Sequence, residues 1–441
     1  MTAQAAERKL HMEIPWKRTT NSGLPAVLAP LGDKASIVCR IGHSLQAAGT
    51  GSWRIRCAMN TAAEALGIVC TADVGLLTIT TTCFDEDTHA THSLALKTSG
   101  VNTDRLAAYE QFVREIPALV EKETTEELHA RMDAIDAKKG NYRPLVVGLA
   151  AAFACAAFTF LLGGGPVEML CAFLGAGSGN YVRRKLTDRK LSMMLAVVVS
   201  VALSCLVYVA SIKVLELGFR LPATHHAGYI CAMLFVIPGF PLITGGIDLA
   251  KLDMRSGMER LTYAFLTILV ATMVGWCAAY LLHFRPEDFE ALSLSAPVLV
   301  GLHLLMSFIG VYGFSMMFNS PRKMCALAAF SGMIANTLRL EMVHFGGLPI
   351  GFAAFLGALT AGLIASFINR EEGIPRIAIT VPSIVIMVPG LYMYRGVYNI
   401  VEVNLNEGTM WLVEAFLIVI ALPMGLVAAR LLTDRDFRHI N

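Results

Sequence analysis

Apolar and polar positions are distributed unevenly along this chain. Residues 1–143 are polar and charged throughout, whereas residues 144–433 form apolar blocks separated by short charged loops. In the first part a helical pattern runs from Ala35 to Gly67 and breaks near Gly49–Gly51. Alternation with Thr and Ile enrichment predicts strands over Val74–Cys83 and Thr91–Lys97, with a turn at Asp85, Glu86 and Asp87. Amphipathic helices are expected over Asn102–Val120 and Thr124–Ala137. This reads as a flexible leader (1–34) and a small soluble cytoplasmic α/β domain (35–143) that ends in Lys138, Lys139 and Arg143.

The second part divides into apolar stretches near 144–163, 166–182, 192–214, 227–247, 260–283, 296–317, 323–343, 350–368, 377–398 and 409–432. Most are long enough to cross a hydrocarbon core of ~30 Å, and a core without water selects helices. The fold class is therefore a polytopic α-helical membrane protein of about ten spans behind the α/β domain. Arg183, Arg184, Lys185, Lys251, Arg255, Arg260, Arg322, Lys323, Arg370, Arg376 and Arg435 fall on one side when residue 143 is placed in the cytoplasm. Positive loops stay inside, so both termini are expected there.

Composition agrees with this reading. The 441 residues are 55% hydrophobic and 16% charged, with a mean hydropathy of +0.58. A net charge of +2 points away from nucleic acid. The charged N-terminus has no apolar core and is not a secretory signal. The ten cysteines show no CxxC spacing, so neither a disulfide framework nor a metal site is implied. No cofactor is expected, and the absence of a Walker loop argues against ATP drive.

Two halves, 144–290 and 291–441, resemble each other at an offset of about 151 to 156 residues. Asn180 and Arg183 parallel Asn336 and Arg339; Pro238, Gly239 and Gly245 parallel Pro389, Gly390 and Gly396. Five spans per half turn the second half upside down, the arrangement of secondary transporters. Each Pro-Gly pair lies roughly 16–20 Å into its helix at 1.5 Å per residue, near mid-bilayer. Proline removes a helical hydrogen bond and glycine permits irregular backbone, so both helices are expected to break there.

The stretch IPGFPLITGGIDLAKLDMRSGMERL (237–261) resembles the signature of the threonine/serine exporter family. AAGTGSWRIRCAMNTAAEALG (47–67) and GVNTDRLA (100–107) are similar to its N-terminal part, and FNSPRK (318–323) and VPGLYMYRG (388–396) to its C-terminal part. The resemblance covers about residues 35–433. It implies ten helices in a bacterial inner membrane and efflux of threonine or serine driven by the proton motive force. Split members of the family are associated with dicarboxylate export, so a succinate-like substrate stays open, as does a homo-oligomer.

Substrate contacts are expected at Pro238, Gly239, Thr244, Gly245 and Asp248, where the helix restarts and offers a positive dipole end to a carboxylate. Pro389, Gly390, Tyr392, Arg395 and Asn336 are their counterparts, with Arg395 placed to hold a carboxylate bidentately or to anchor the outer interface. Asp248 either meets an ammonium or proton or pairs with Lys251. Asp248, His303 and Glu414 are the proton-coupling candidates, His303 also reading as an interhelical hydrogen bonder, while Glu341 reads as an outer-boundary residue. His225 and His226 precede the fourth helix as a pH sensor or interfacial pair. Competing readings are a membrane-anchored enzyme with a Ser/His site in the N-terminal domain, and a sensor with that domain as output.

Overall fold

The computed structural model describes residues 14, 16, 23–219, 225–282, 284, 289 and 294–438. The chain divides into two compact units, one of residues 1–100 and 108–138 and one of residues 101–107 and 139–441. Most of the leader expected over 1–34 lies outside the described residues. Within its last part, Ala26 and Val27 N–H donate to the carbonyls of Glu123 and Val120 (2.8 and 3.1 Å).

The first unit opens with α1 (Leu31–Ala47), starting just after Pro30, and α2 (Ser52–Ala65). Gly49, at φ 92°, makes the turn between them, in a region open to glycine. Three antiparallel strands follow as a meander in the order β1-β2-β3: β1 (Val69–Val74), β2 (Thr78–Phe84) and β3 (His89–Ala95). The pattern predicts two strands, and β1 is the additional one. It is largely exposed, so it lacks the buried alternation that marks β2. α3 (Thr103–Leu119), of which residues 108–119 belong here, and α4 (Thr125–Ala137) complete the unit, α4 opening with a capping box of Thr124 and Glu127. Ile37, Ile41, Leu45, Ile55, Met59, Ile79, Tyr109, Leu128 and Met132 form its buried core.

The second unit is helical. Among the described residues, six helices are long and apolar enough to cross a membrane: α5 (Pro144–Leu161), α7 (Met193–Phe219), α10 (Met254–Leu282), α11 (Ala296–Met317), α13 (Ile350–Glu372) and α16 (Leu405–Thr433). Two bent pairs bring the number to eight when each is counted as one span: α8 (Tyr229–Met233), which runs through a 3-10 turn to Val236, with α9 (Gly239–Ala250), bent by 56°, and α14 (Arg376–Val385) with α15 (Gly390–Val401), bent by 48°. Two further helices of 23 residues, α6 (Pro166–Asp188) and α12 (Arg322–His344), fall outside that set. They carry the more polar faces, with Glu168, Asn180 and Arg183 on α6 and Asn336, Arg339 and Glu341 on α12.

Two of the motifs flagged in the sequence meet in this unit. Asn319, at φ 63° after α11, donates to Asn102 Oδ1 (2.9 Å) and accepts from the Asn141 backbone N–H (2.7 Å). Ser320 Oγ lies 2.7 Å from Thr103 Oγ1, and its carbonyl accepts from the Tyr142 hydroxyl (2.7 Å). The NT of GVNTDRLA and the NS of FNSPRK thus tie one joint. Asparagine tolerates the left-handed backbone there while its amide makes the bonds.

Candidate functional site

The two Pro-Gly breaks have the same local geometry. Pro238 (φ −81°, ψ 62°) and Pro389 (φ −81°, ψ 52°) each centre an inverse γ-turn. In it Gly239 N–H donates to the Ile237 carbonyl and Gly390 N–H to the Val388 carbonyl, both at 2.8 Å. The breaks also touch each other. A Cβ on Gly239 would stand 2.5 Å from Val385 Cγ2, and one on Gly390 would overlap Ile237 Cδ1 and lie 2.9 Å from Leu234 Cδ2. Each glycine admits an apolar side chain of the other broken helix. At the Phe235 carbonyl, which the break frees, Arg183 Nη1 donates at 3.3 Å.

Beyond each break the second arm lies against the following helix on a pair of glycines. A Cβ on Gly245 would be 3.1 Å from the Gly257 carbonyl, and a Cβ on Gly408 would be 3.1 Å from the Gly396 carbonyl. Leu252 (φ 62°) and Val403 (φ 64°) then end the two arms in the same left-handed backbone conformation.

On the α9–α10 arm, Asp248 is fully buried and meets Arg260 Nε at 3.2 Å and Ser256 Oγ at 2.9 Å. Arg260 Nη1 donates to Thr244 Oγ1 (3.3 Å), whose hydroxyl donates to the Phe240 carbonyl (2.9 Å). Asp248 and Thr244, expected as substrate contacts, are therefore members of one buried network organised by Arg260. Arg260 is marked in the sequence only as a cytoplasmic positive charge. Lys251, the other expected partner of Asp248, donates to the Phe437 carbonyl (2.5 Å) and lies over the Phe437 ring. Taking both members of such a pair from water is costly, and removing one leaves the other uncompensated.

On the α15–α16 arm, Arg395 is buried with its guanidinium over the Trp411 ring, 5.0 Å from the centroid. Trp411 also takes the edge of Tyr392 (5.3 Å), and Tyr392 lies in the fields of Arg339, Glu414 and Arg395. Arg339 Nε donates to Asn336 Oδ1 (3.1 Å), and Asn336 Nδ2 to Ser307 Oγ on α11 (2.8 Å). Four residues expected at the site, Asn336, Tyr392, Arg395 and Glu414, thus gather with Arg339 and Trp411. The Tyr394 hydroxyl lies 2.5 Å from that of Tyr229, joining the first arm of one broken helix to the second arm of the other.

His303 stands apart from these groups, with Nδ1 2.7 Å from Glu341 Oε1. A second imidazole–carboxylate pair joins His225 Nδ1 to Glu168 Oε1, also at 2.7 Å. Sequence spacing does not expose either pair, because each spans different elements. The side chain of His226 lies outside the described residues.

In the first unit a Ser–His contact does exist. His129 Nε2 lies 2.9 Å from Ser36 Oγ, but its Nδ1 faces Arg40 Nη1 at 3.3 Å. An arginine only donates, so Nδ1 accepts and the proton sits on Nε2. That tautomer cannot take a proton from the serine, which itself donates to the Asp33 carbonyl. Arg40 is held instead by Asp133 (2.6 Å) and Asp136 (3.1 Å).

Burial first, and then Arg40, push the His129 pKa down to about 4, so the folded protein keeps it neutral. The unfolded chain takes up this proton below about pH 6.5. The stabilisation is therefore complete above that pH and is lost as pH falls towards 4, on the order of 3 kcal/mol for this group. Thermal unfolding of the full-length protein in detergent at pH 7 and pH 4.5 should show a larger drop for wild type than for His129→Gln.

Among the described residues no group of His, Cys, Asp and Glu is arranged to hold a metal ion. Residues 36–282 match the family described as "Putative threonine/serine exporter", and residues 303–432 match "Threonine/Serine exporter, ThrE". The chain belongs to the threonine/serine exporter family. It is a multi-pass membrane protein of this exporter family. Among curated relatives, an "Uncharacterized protein" of Haemophilus influenzae is 28% identical over 31% of this chain and 46% of its own length. The "Probable succinate transporter subunit YjjP" of Escherichia coli is 29% identical over 30% of this chain and 50% of its own. That of Klebsiella aerogenes is 30% identical over 30% and 47%. The chain spans about half the length of these relatives. No solved structure matches it.

Proposed function

We propose that the protein is a secondary exporter of small polar metabolites, with threonine and serine as first substrates and the proton motive force as drive. It works in a bacterial inner membrane with both termini in the cytoplasm. The reading takes the chain as a domain over 35–143 and two five-helix inverted repeats over 144–290 and 291–441, ten spans in all. The observation that carries it is the pair of like breaks, 151 residues apart, with each glycine packed on the other helix.

Inverted repeats place one arginine-centred group on either side of the crossing. On the cytoplasmic side Arg260, Thr244, Asp248 and Ser256 receive a zwitterion, Asp248 meeting the ammonium once it parts from Arg260. On the outer side Arg395, with Tyr392, Asn336 and Arg339, takes the carboxylate. Alternating access then moves the crossing rather than the substrate site. The Tyr229–Tyr394 hydrogen bond closes the outer side in this conformation and has to open for release.

A dicarboxylate is the second reading. The concentration of Arg339 and Arg395 around Tyr392 favours it, as does the printed name of the Escherichia coli relative. Counterflow in proteoliposomes with labelled threonine, serine and succinate separates the two. Exchange of threonine or serine supports the first, exchange of succinate alone the second, and exchange of none of the three removes the reading. Arg395→Lys keeps the charge but loses the planar fork. It should raise the half-saturating concentration by roughly tenfold, equivalent to about 1.4 kcal/mol of lost binding; an unchanged value would remove Arg395 from carboxylate recognition.

A further inference from the structure

We propose that His303 and Glu341 together form the proton-binding site through which transport is coupled to proton entry from the outer side. The inference rests on the exporter reading above.

Asp248 is engaged by both Arg260 and Ser256, so its charge is already balanced inside the network. Glu168 has both carboxylate oxygens satisfied: Oε1 by His225 Nδ1 at 2.7 Å and Oε2 by the Gly165 backbone N–H at 3.0 Å. It caps a helix and fastens the segment that leads into α8. Glu341 differs. Its Oε1 meets His303 Nδ1 at 2.7 Å, while its Oε2 is buried with no hydrogen-bond partner. An ionised carboxylate accepts only, so His303 Nδ1–H donates to Oε1, and the orphan Oε2 and the second ring nitrogen remain as proton acceptors. Leaving a carboxylate oxygen dry and unbonded is costly, and protonating the pair relieves that cost.

The surroundings contribute few other charges. From α5, Phe160 packs its ring against the imidazole at 6.1 Å, and Cys155 is the sole ionisable side chain within that helix. α12 itself brings Arg339 before Glu341 and His344 after it; α11 brings Tyr312, more than two turns beyond His303. α13 and α14 carry theirs, Arg370, Glu371, Glu372 and Arg376, at the ends remote from Glu341. The side chains of His303 and Glu341 keep 11% and 19% of their surface exposed. A buried ionisable pair inside a membrane helix bundle is a natural proton relay.

The step balances simply. A hydronium ion gives its proton to the pair, forming an N–H on the imidazole or an O–H at Oε2; water leaves, and the charge of the pair rises by one. The link to substrate runs through α12. One turn along α11 from His303, Ser307 accepts from Asn336, whose Oδ1 accepts from Arg339 beside Tyr392. Protonation changes what α11 and α12 hold between them, and Arg339 lies on the same helix.

The test compares two fluxes of whichever labelled compound, threonine, serine or succinate, shows counterflow in wild-type proteoliposomes. One is exchange at equal pH on both sides, the other net flux driven by an imposed pH gradient. The readout is the driven net flux divided by the exchange, which does not depend on the amount of folded protein. Glu341→Gln and His303→Gln should lower the ratio by about tenfold or more, within the range of ordinary site couplings. Glu341→Asp keeps the acid and should retain the ratio, and His303→Gln carries the test should Glu341→Gln fail to fold. Glu168→Gln should leave the ratio at the wild-type value. A wild-type ratio in Glu341→Gln and His303→Gln, or an equal fall in Glu168→Gln, overturns the proposal. Failure of exchange in the wild type would instead strike at the exporter reading.

Discussion

Asp248→Asn is expected to abolish transport and to lower the thermal stability of the whole protein in detergent. The substitution keeps size and shape but leaves the Arg260 guanidinium, 2% exposed, without the carboxylate that balances it. Breaking a buried pair from one side costs about 3–5 kcal/mol, because the remaining charge stays dry. Ser256 and Thr244, which bond to the same pair, lose their orientation with it. The double variant Asp248→Asn/Arg260→Gln removes both charges. It should recover most of the stability and none of the transport. Melting curves and counterflow on the three proteins separate the two effects; a single variant as stable and as active as wild type would show that the pair is dispensable.

The second large effect is expected at the crossing of the broken helices. Gly390→Leu puts a branched side chain where Ile237 Cδ1 and Leu234 Cδ2 already stand. Ala at this position meets only the flexible ends of two side chains and should be tolerated with a modest loss. Leu has to push apart the backbones of two helices, and overpacking of this kind costs about 1–3 kcal/mol in a well-packed core. Transport should fall by more than tenfold, since about 1.4 kcal/mol is already a factor of ten, while the protein still inserts and purifies. Gly239→Leu should behave alike from the other side, against Val385 and Val388. Full counterflow in either variant would mean that the crossing does not move during transport.

Much of this architecture is legible in the residues, and the reasons are physical. Apolar stretches of membrane length leave few alternatives to helices, and the boundaries of α11, at Ala296 and Met317, coincide with the stretch 296–317. The breaks are readable because Pro238 and Pro389 each remove a helical N–H donor and the glycine that follows each permits an irregular backbone. The network around Asp248 is less so. Asp248 and Lys251 share a helix face, which makes their pairing the natural reading, whereas Arg260 reaches Asp248 only because Gly245 and Gly257 let α9 and α10 approach closely. A closer reading of those two glycines with Ser256 and Arg260, four residues apart on one face, contains the signal. Glu341 reads as a boundary residue because its partner lies 38 positions away on another helix. β1 is hidden for a simpler reason: its inward positions Cys70 and Ala72 are small and half-buried while the apolar Val69 is exposed, so its apolar residues do not alternate cleanly.

The glycine pairs have a mechanical consequence. Where Gly245 rests on the Gly257 carbonyl, and Gly396 and Gly408 rest on each other's carbonyls, main chain meets main chain, with Leu261 and Leu412 packed beside the contacts. Each inner arm is therefore bolted to its neighbour, α9 to α10 and α15 to α16, as a stiff two-helix blade. On the transport cycle proposed above, the short γ-turns are where each broken helix bends, so a tilt of α10 or α16 would be delivered to the crossing.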